Sequence, residues 1–131
     1  NLNAVIYYQE WIPAEKIGLL LKRSRFGLWL FNPGMKRMSL ATPLKVLEYF
    51  AAGLPVISIK TPLMTSLIAY NKLGMLCKYH SRDIADAIAT MLKMPEDEYL
   101  AMSRRCIEIS ESRFNWESLE PALFKLIDHI L

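Results

Sequence analysis

The sequence predicts an α/β domain: a Rossmann-like open parallel sheet flanked by helices on both faces. Three observations carry this expectation. Short apolar runs rich in β-branched or aromatic residues alternate with longer stretches of helical period. Their order is strand, helix, strand, loop, helix, strand, as in parallel βαβ crossovers. Finally, 131 residues with a net charge of +3, 53% hydrophobic and 22% charged, have the size and balance of one ordinary globular domain.

The expected strands are residues 4–8, 26–31, 56–59 and 74–77. Between the first two, Pro13-Ala14-Glu15 makes a proline and acidic helix start, with Ile17, Leu20 and Leu21 following on one face. Between the next two, residues 32–42 read as a loop and 43–52 as a helix that Gly53 closes with a left-handed cap. Beyond Cys77 three helices are expected. The first covers residues 81–93, with Ile84, Ile88 and Leu92 in register, and the second covers 96–110, with Glu96, Asp97 and Glu98 at its positive end. The third carries Leu119, Leu123, Ile127 and Leu131 at four-residue spacing. In it, Pro121 demands either a kink or a start near Ser118, where proline falls in the tolerant first turn.

Composition excludes several classes. A chain of this length buries roughly two-thirds of its unfolded surface, so disorder, a disulfide scaffold, collagen-like repeats and a multi-domain enzyme are ruled out. Cys77 and Cys106 lie far apart without metal-ligand spacing and read as buried hydrophobes in a reducing compartment. No apolar stretch approaches the roughly 20 residues that span a bilayer, and no signal peptide is visible. The basic residues are scattered in Lys22-Arg23-Ser24-Arg25, Lys36-Arg37 and Arg104-Arg105 and are not interleaved with exposed aromatics, which argues against nucleic acid. An anionic ligand or membrane surface stays open for the first two clusters. The chain starts at Asn1 and is strand-like by Val5, as expected of a piece of something larger.

In open parallel sheets ligands lie beyond the carboxyl ends of the strands, which directs attention to residues 32–42 and the helix after them. Thr42 suits the N-cap, Pro43 the first helical position, and Leu44 and Lys45 present free N–H groups. A first-turn lysine opposes the helix dipole and becomes favourable when an anion such as a diphosphate sits there. At about 100° per residue, Lys45, Glu48, Tyr49 and Ala52 share one stripe, while Leu44, Val46, Leu47, Phe50 and Ala51 fill the rest as buried positions. Glu48, one turn or about 5 Å along the axis, is placed to accept from ribose hydroxyls. The same residues suit an ordinary surface ion pair at i, i+3 with Thr42 an ordinary cap, and spacing alone leaves the function open.

Thr42-Pro43-Leu44-Lys45-Val46-Leu47-Glu48-Tyr49-Phe50-Ala51-Ala52-Gly53-Leu54-Pro55-Val56-Ile57 resembles the "SPLKLFEYLAAGKPVV" segment of nucleotide-sugar-dependent glycosyltransferases of the GT-B fold, close to glycosyltransferase family 4 (group 1). The likeness extends to residues 5–13, to 26–33 and to Phe114-Asn115-Trp116-Glu117, similar to the "F-S-W-E" start of the family's last helix. The resemblance implies a truncated carboxyl-terminal, donor-binding half spanning residues 1–131. Its first strand-helix unit and the whole amino-terminal acceptor domain, with the catalytic residue, would lie outside this chain. It further implies Lys45 and the helix start at Thr42 for the diphosphate, Glu48 for the ribose, and the segment at Trp11 and Ile12 for the base. The implied reaction is retaining sugar transfer from a nucleotide diphosphate sugar to a carbohydrate or glycolipid acceptor. It needs no metal and no cofactor, and this fragment alone is expected to be inactive. The setting implied is bacterial polysaccharide or glycolipid assembly, cytoplasmic, with peripheral contact at the inner membrane face permitted by Lys22 to Arg25.

The sequence departs from the family where its E-x7-E pattern would place a first glutamate, because position 40 is Leu40. Phe26 stands where an acid usually precedes Gly27, and Pro121 is also unusual, fitting a bend where the last helix crosses back toward the other domain. Asp83 and Asp86 are spaced for a helix surface and not as a metal-clamping Asp-x-Asp. Two rival readings are a nucleotide-sugar epimerase of the same fold, for which His80 and His129 do not supply the stations, and a non-catalytic α/β interaction domain, for which the helix start at Thr42 would be covered by protein.

Overall fold

The computed structural model describes residues 11–130. The strand expected over residues 4–8 lies outside them. Three parallel strands, β1 (Gly27–Trp29), β2 (Val56–Ile59) and β3 (Gly74–Cys77), form one sheet in the order β1-β2-β3. Gly27, Val56 and Gly74 stand in one row of the register, and Trp29, Ser58 and Leu76 in another. The helices are α1 (Ala14–Lys22), α2 (Lys36–Leu40), α3 (Leu44–Ala51), α4 (Pro62–Met64), α5 (Ser81–Lys93), α6 (Glu96–Arg113) and α7 (Trp116–Ile130); α4 runs on as a π-helical turn, Thr65–Ala69.

The sheet and helices are those of an α/β domain with a parallel sheet flanked by helices. All four residues of β2 are buried, so the central strand is covered on both faces. Helix α3 packs on β1, β2 and α6, while the π-turn and α5 pack on β3. Val46 and Phe50 from α3, Ile57 and Ile59 from β2, Ile68, Met91 and Cys106 form the centre of the core. Burying one such Phe or Ile side chain contributes ~2 kcal/mol.

Gly74 is dictated by close approach and Gly53 by its backbone conformation. A Cβ on Gly74 would stand 1.9 Å from the Val56 carbonyl oxygen, so only glycine starts β3 without forcing the strands apart. Gly53 has φ +71° and closes α3, its N–H donating to Phe50 O (2.9 Å) while Leu54 N–H donates to Tyr49 O (2.8 Å), the pair of bonds of a Schellman cap. Ser103 Oγ donates to the Gly53 carbonyl (2.7 Å), tying this turn to α6.

Several expectations are corrected. Residues 32–42 are not a plain loop. Asn32 Oδ1 accepts from Gly34 N–H (2.9 Å), Ser39 Oγ donates to Pro33 O (3.1 Å), and Lys36–Leu40 form α2. The helix over residues 62–69 was not expected, although Thr61 caps it by accepting from Met64 N–H (3.2 Å) ahead of a first-turn proline. Strand β1 is shorter than residues 26–31, α6 runs one turn past Ser110, and α1 turns Leu20 outward (47% exposed) while Ile17 and Leu21 are half-buried. Helix α7 begins at Trp116 and not near Ser118. Asn115 Oδ1 accepts from Ser118 N–H (2.6 Å), a cap strong enough to start the helix five residues before Pro121.

Candidate functional site

Strand β1 ends at Trp29, and the chain returns through α2 to the start of α3, so α3 opens beside the carboxyl end of β1. Tyr49 packs on Gly27 so closely that a Cβ there would meet its ring at 2.2 Å. Four residues earlier, Lys45 Nζ stands 4.9 Å from the Trp29 ring centroid. The two spacings match, because four residues of helix rise about 6 Å and two of strand about 6.6 Å. Gly27 thus lets α3 settle on β1, and that seating delivers the lysine to the strand's carboxyl end.

The start of α3 has an unusual electrostatic make-up. Thr42 is not its N-cap; Pro43 occupies that position, in extended conformation, because the chain turns helical only at Leu44. Proline has no side-chain acceptor to offer; Val46 N–H donates to the Pro43 carbonyl (3.0 Å), but no side chain caps the N–H groups of Leu44 and Lys45, and no acidic residue sits in that turn. Among the described helices of eight residues or more, α3 alone lacks both a side-chain cap and a first-turn acid. Helix α1 has Glu15, α5 has Asp83 and the His80 cap, α6 has Glu96, Asp97 and Glu98, and α7 has Glu117 and the Asn115 cap. Thr42, Leu44 and Lys45 are exposed, so the opening expected to be covered in an interaction domain is not covered by any described residue.

Glu48 faces elsewhere. It lines a cleft of about 610 Å³ between α1 and α3, with Ala14, Ile17 and Leu21 opposite and Ala52 beside it. No ion pair joins it to Lys45; among the described residues the pair of fixed charges is Arg25–Glu96 (3.0 Å), and the Asp83 carboxylate lies 3.8 Å from His80 Nδ1. The ordinary surface-pair reading is therefore not realised. The predicted stripe is real but splits: Lys45 and Tyr49 ride along β1, while Glu48 and Ala52 border the cleft. Leu44 (77% exposed) and Ala51 are exposed rather than buried. Burial of the Tyr49 phenol, with the Glu48 carboxylate beside it, pushes its pKa up.

Ile12 borders a separate shallow hollow of about 280 Å³ with Lys16 and Leu20, and Trp11 stands 76% exposed. The structure therefore brings Thr42 and Lys45 together and sets Glu48, Ile12 and Trp11 apart from them. Trp29, buried directly under Lys45, is the site residue that sequence reading missed. Its apolar surroundings mark it as core, and only the seating of α3 reveals its second face.

Other candidates reduce to structure. Cys77 and Cys106 are buried, their thiols donating weakly to Ser58 O and Leu73 O. Burial pushes both thiols up, Cys106 to about 12, so neither is a thiolate near neutrality. His80 Nδ1 accepts from Arg82 N–H (3.3 Å) as a helix cap. Arg25 is not a free member of the basic cluster at residues 22–25, since it pairs with Glu96 and lies 4.2 Å over Tyr99. Among the described residues no group of His, Cys, Asp and Glu is arranged to hold a metal, and no helix is long and apolar enough to cross a membrane.

Residues 1–113 match the family described as Glucosyltransferase 3-like, C-terminal domain. The chain belongs to this family. Among curated proteins, this glycosyltransferase carboxyl-terminal domain is 30% identical over 117 residues to the chitobiosyldiphosphodolichol beta-mannosyltransferase of Kluyveromyces lactis, covering 88% of the chain and 25% of that protein. It is 27% identical over 111 residues to the protein of the same name in Candida glabrata, covering 82% and 23%. To the UDP-glycosyltransferase TURAN of Arabidopsis thaliana it is 31% identical over 93 residues, covering 71% and 19%. The chain thus spans a quarter or less of the length of these relatives. They come from two yeasts and a plant, which lends the expected bacterial setting no support.

Proposed function

We propose that this domain is the donor-binding part of a glycosyltransferase that moves a sugar from a nucleotide diphosphate sugar to a carbohydrate or glycolipid acceptor. One observation carries the reading: α3 opens at the carboxyl end of β1 with no side-chain cap, no acid and Lys45 in its first turn. Such a helix start is unfavourable by itself and favourable with an anion against it. The name of one relative, a UDP-glycosyltransferase, supports a sugar linked to a nucleoside diphosphate as the class of anion, and that of the others, a mannosyltransferase, supports transfer of a sugar.

In this mechanism the Lys45 ammonium and the N–H groups of Leu44 and Lys45 hold the diphosphate. They stabilise the charge that accumulates as the sugar leaves. Glu48 accepts from the ribose hydroxyls at the rim of the α1–α3 cleft, and the base extends toward the Trp11–Ile12 segment. Transfer proceeds with retention, without metal or cofactor, as in glycosyltransferase family 4. The acceptor and the catalytic residue belong to chain beyond this domain, which alone binds nucleotide weakly and does not turn over. A parent enzyme on the cytoplasmic side of a membrane, meeting its acceptor there, fits this reading.

Calorimetric titration of the full-length protein with a nucleoside diphosphate and with the parent nucleoside tests the assignment. Lys45→Ala lowers diphosphate affinity about tenfold to a hundredfold and spares the nucleoside, whereas Glu48→Ala weakens both about tenfold. Unchanged affinities in both variants would sink the proposal.

A further inference from the structure

We infer that Trp29 is a positioning residue for Lys45: its indole face is a fixed platform that holds the lysine ammonium at the mouth of α3. The inference rests on the donor-binding reading above, and it concerns a residue that neither the motif nor the family likeness singles out.

A lysine ammonium is a strongly hydrated point charge on four rotatable bonds, and on an open helix start nothing in its own chemistry fixes it. Here it lies 4.9 Å from the centroid of an aromatic ring, the geometry of a cation–π contact, with tryptophan the most attractive of the rings. The ring itself cannot drift. Trp29 is 7% exposed, its backbone stands in register with Ser58 of β2, and its ring meets that of Phe31 at 5.4 Å and 41°.

The choice of tryptophan also carries a cost that packing does not explain. Its indole Nε1 is buried with no hydrogen-bond partner among the described residues. A buried donor left unsatisfied is destabilising, and phenylalanine or leucine at the same place in the core would avoid it. What leucine would lose is the electron-rich face under Lys45, and phenylalanine would offer only a smaller, less attractive one. The seating of Tyr49 on Gly27 sets the register in which that face and that ammonium meet. A cation held between an aromatic face and an anion keeps both contacts, so the platform pre-organises Lys45 for the diphosphate instead of competing with it.

The test is a double-mutant cycle on the full-length protein, read as nucleoside diphosphate affinity by calorimetry. Trp29→Leu weakens affinity about threefold to fivefold when Lys45 is present and has no effect in the Lys45→Ala background. Trp29→Phe, which keeps a ring and removes the orphan donor, stays within about twofold of the natural protein and unfolds no earlier. A Trp29→Leu loss of equal size in both backgrounds, or no loss in either, overturns the positioning role. Should the leucine variant not fold, NMR of the natural protein decides. The side-chain methylene resonance of Lys45 next to the ammonium, assigned by its absence in Lys45→Ala, is shifted upfield by the ring with and without nucleoside diphosphate. A resonance at the position of an exposed lysine overturns the inference. If Lys45→Ala alone leaves affinity intact, the donor-binding reading itself fails, a result distinct from either.

Discussion

Helices α3 and α6 begin with the same local geometry and opposite electrostatics. Each has a proline at its N-cap, Pro43 with ψ 138° and Pro95 with ψ 144°, and in neither does a side chain cap the free N–H groups. At α6 the positive end is answered within the chain by Glu96, Asp97 and Glu98, and Glu96 is in turn held by Arg25, whose guanidinium lies on Tyr99. At α3 the same positive end meets Leu44 and Lys45, and the lysine leans on Trp29. One start is satisfied internally and belongs to the stability of the fold. The other has no side-chain cap and no acid at the carboxyl end of a parallel strand, where in the function proposed above an external anion completes it.

Reversing the charge at α3 is the strongest way to break this contrast. Lys45→Glu gives α3 the kind of first turn that α6 has. Nucleoside diphosphate affinity should fall by about a hundredfold or more, since a charge-assisted contact is replaced by repulsion. The ligand-free protein should hold its stability or gain up to ~1 kcal/mol, because the dipole term improves while the aromatic contact is lost. Calorimetry and urea unfolding on the same variant read the two effects, and a parallel loss of both would mean that the α3 start is structural after all.

Supplying the missing cap is gentler. In Pro43→Asp the new carboxylate accepts from the N–H of Lys45, one of the groups assigned to the diphosphate. The cap and its charge should add ~1 kcal/mol, against ~0.5 kcal/mol lost by freeing the unfolded chain from proline. Affinity for a nucleoside diphosphate should drop about tenfold with the nucleoside itself unaffected. An equal loss for both ligands would place the diphosphate elsewhere.

The contrast is partly legible in the sequence. Strands 56–59 and 74–77 are short apolar runs bounded by glycine or proline, and they form where the runs lie. The acids after Pro95 and the lysine after Pro43 are plain in the sequence, and so is the helical period that puts Lys45 and Glu48 one turn apart. The hidden part is tertiary. Whether Thr42 or Pro43 caps α3 depends on where the chain leaves α2. That Glu48 turns to the α1–α3 cleft, and Lys45 to Trp29, depends on how Tyr49 seats on Gly27, a contact between residues far apart in sequence. The helix at residues 62–69 is hidden in the sequence because its apolar run has no amphipathic period, although Thr61-Pro62 is a readable start. Trp29 is hidden because alternation along a strand reports burial and not what lies on the buried ring.

The smallest effect belongs to the helix start that is already complete, and it checks that the contrast is not simply a matter of acids and bases anywhere on the surface. Glu96→Ala removes one of three first-turn acids and the partner of Arg25, while Arg25 keeps its place over Tyr99. Both groups are partly exposed, so solvent screens the pair, and the expected loss is ~0.5 kcal/mol. It should be seen as a lower urea midpoint with an unchanged slope, since the same surface is exposed on unfolding. Nucleoside diphosphate affinity should not move, because Glu96 is held by Arg25 just before the amino end of β1, whereas α3 opens at the carboxyl end beside Trp29. A change in affinity from this substitution would tie the two helix starts into one electrostatic unit, and the division between a structural and a ligand-facing terminus would then have to be given up.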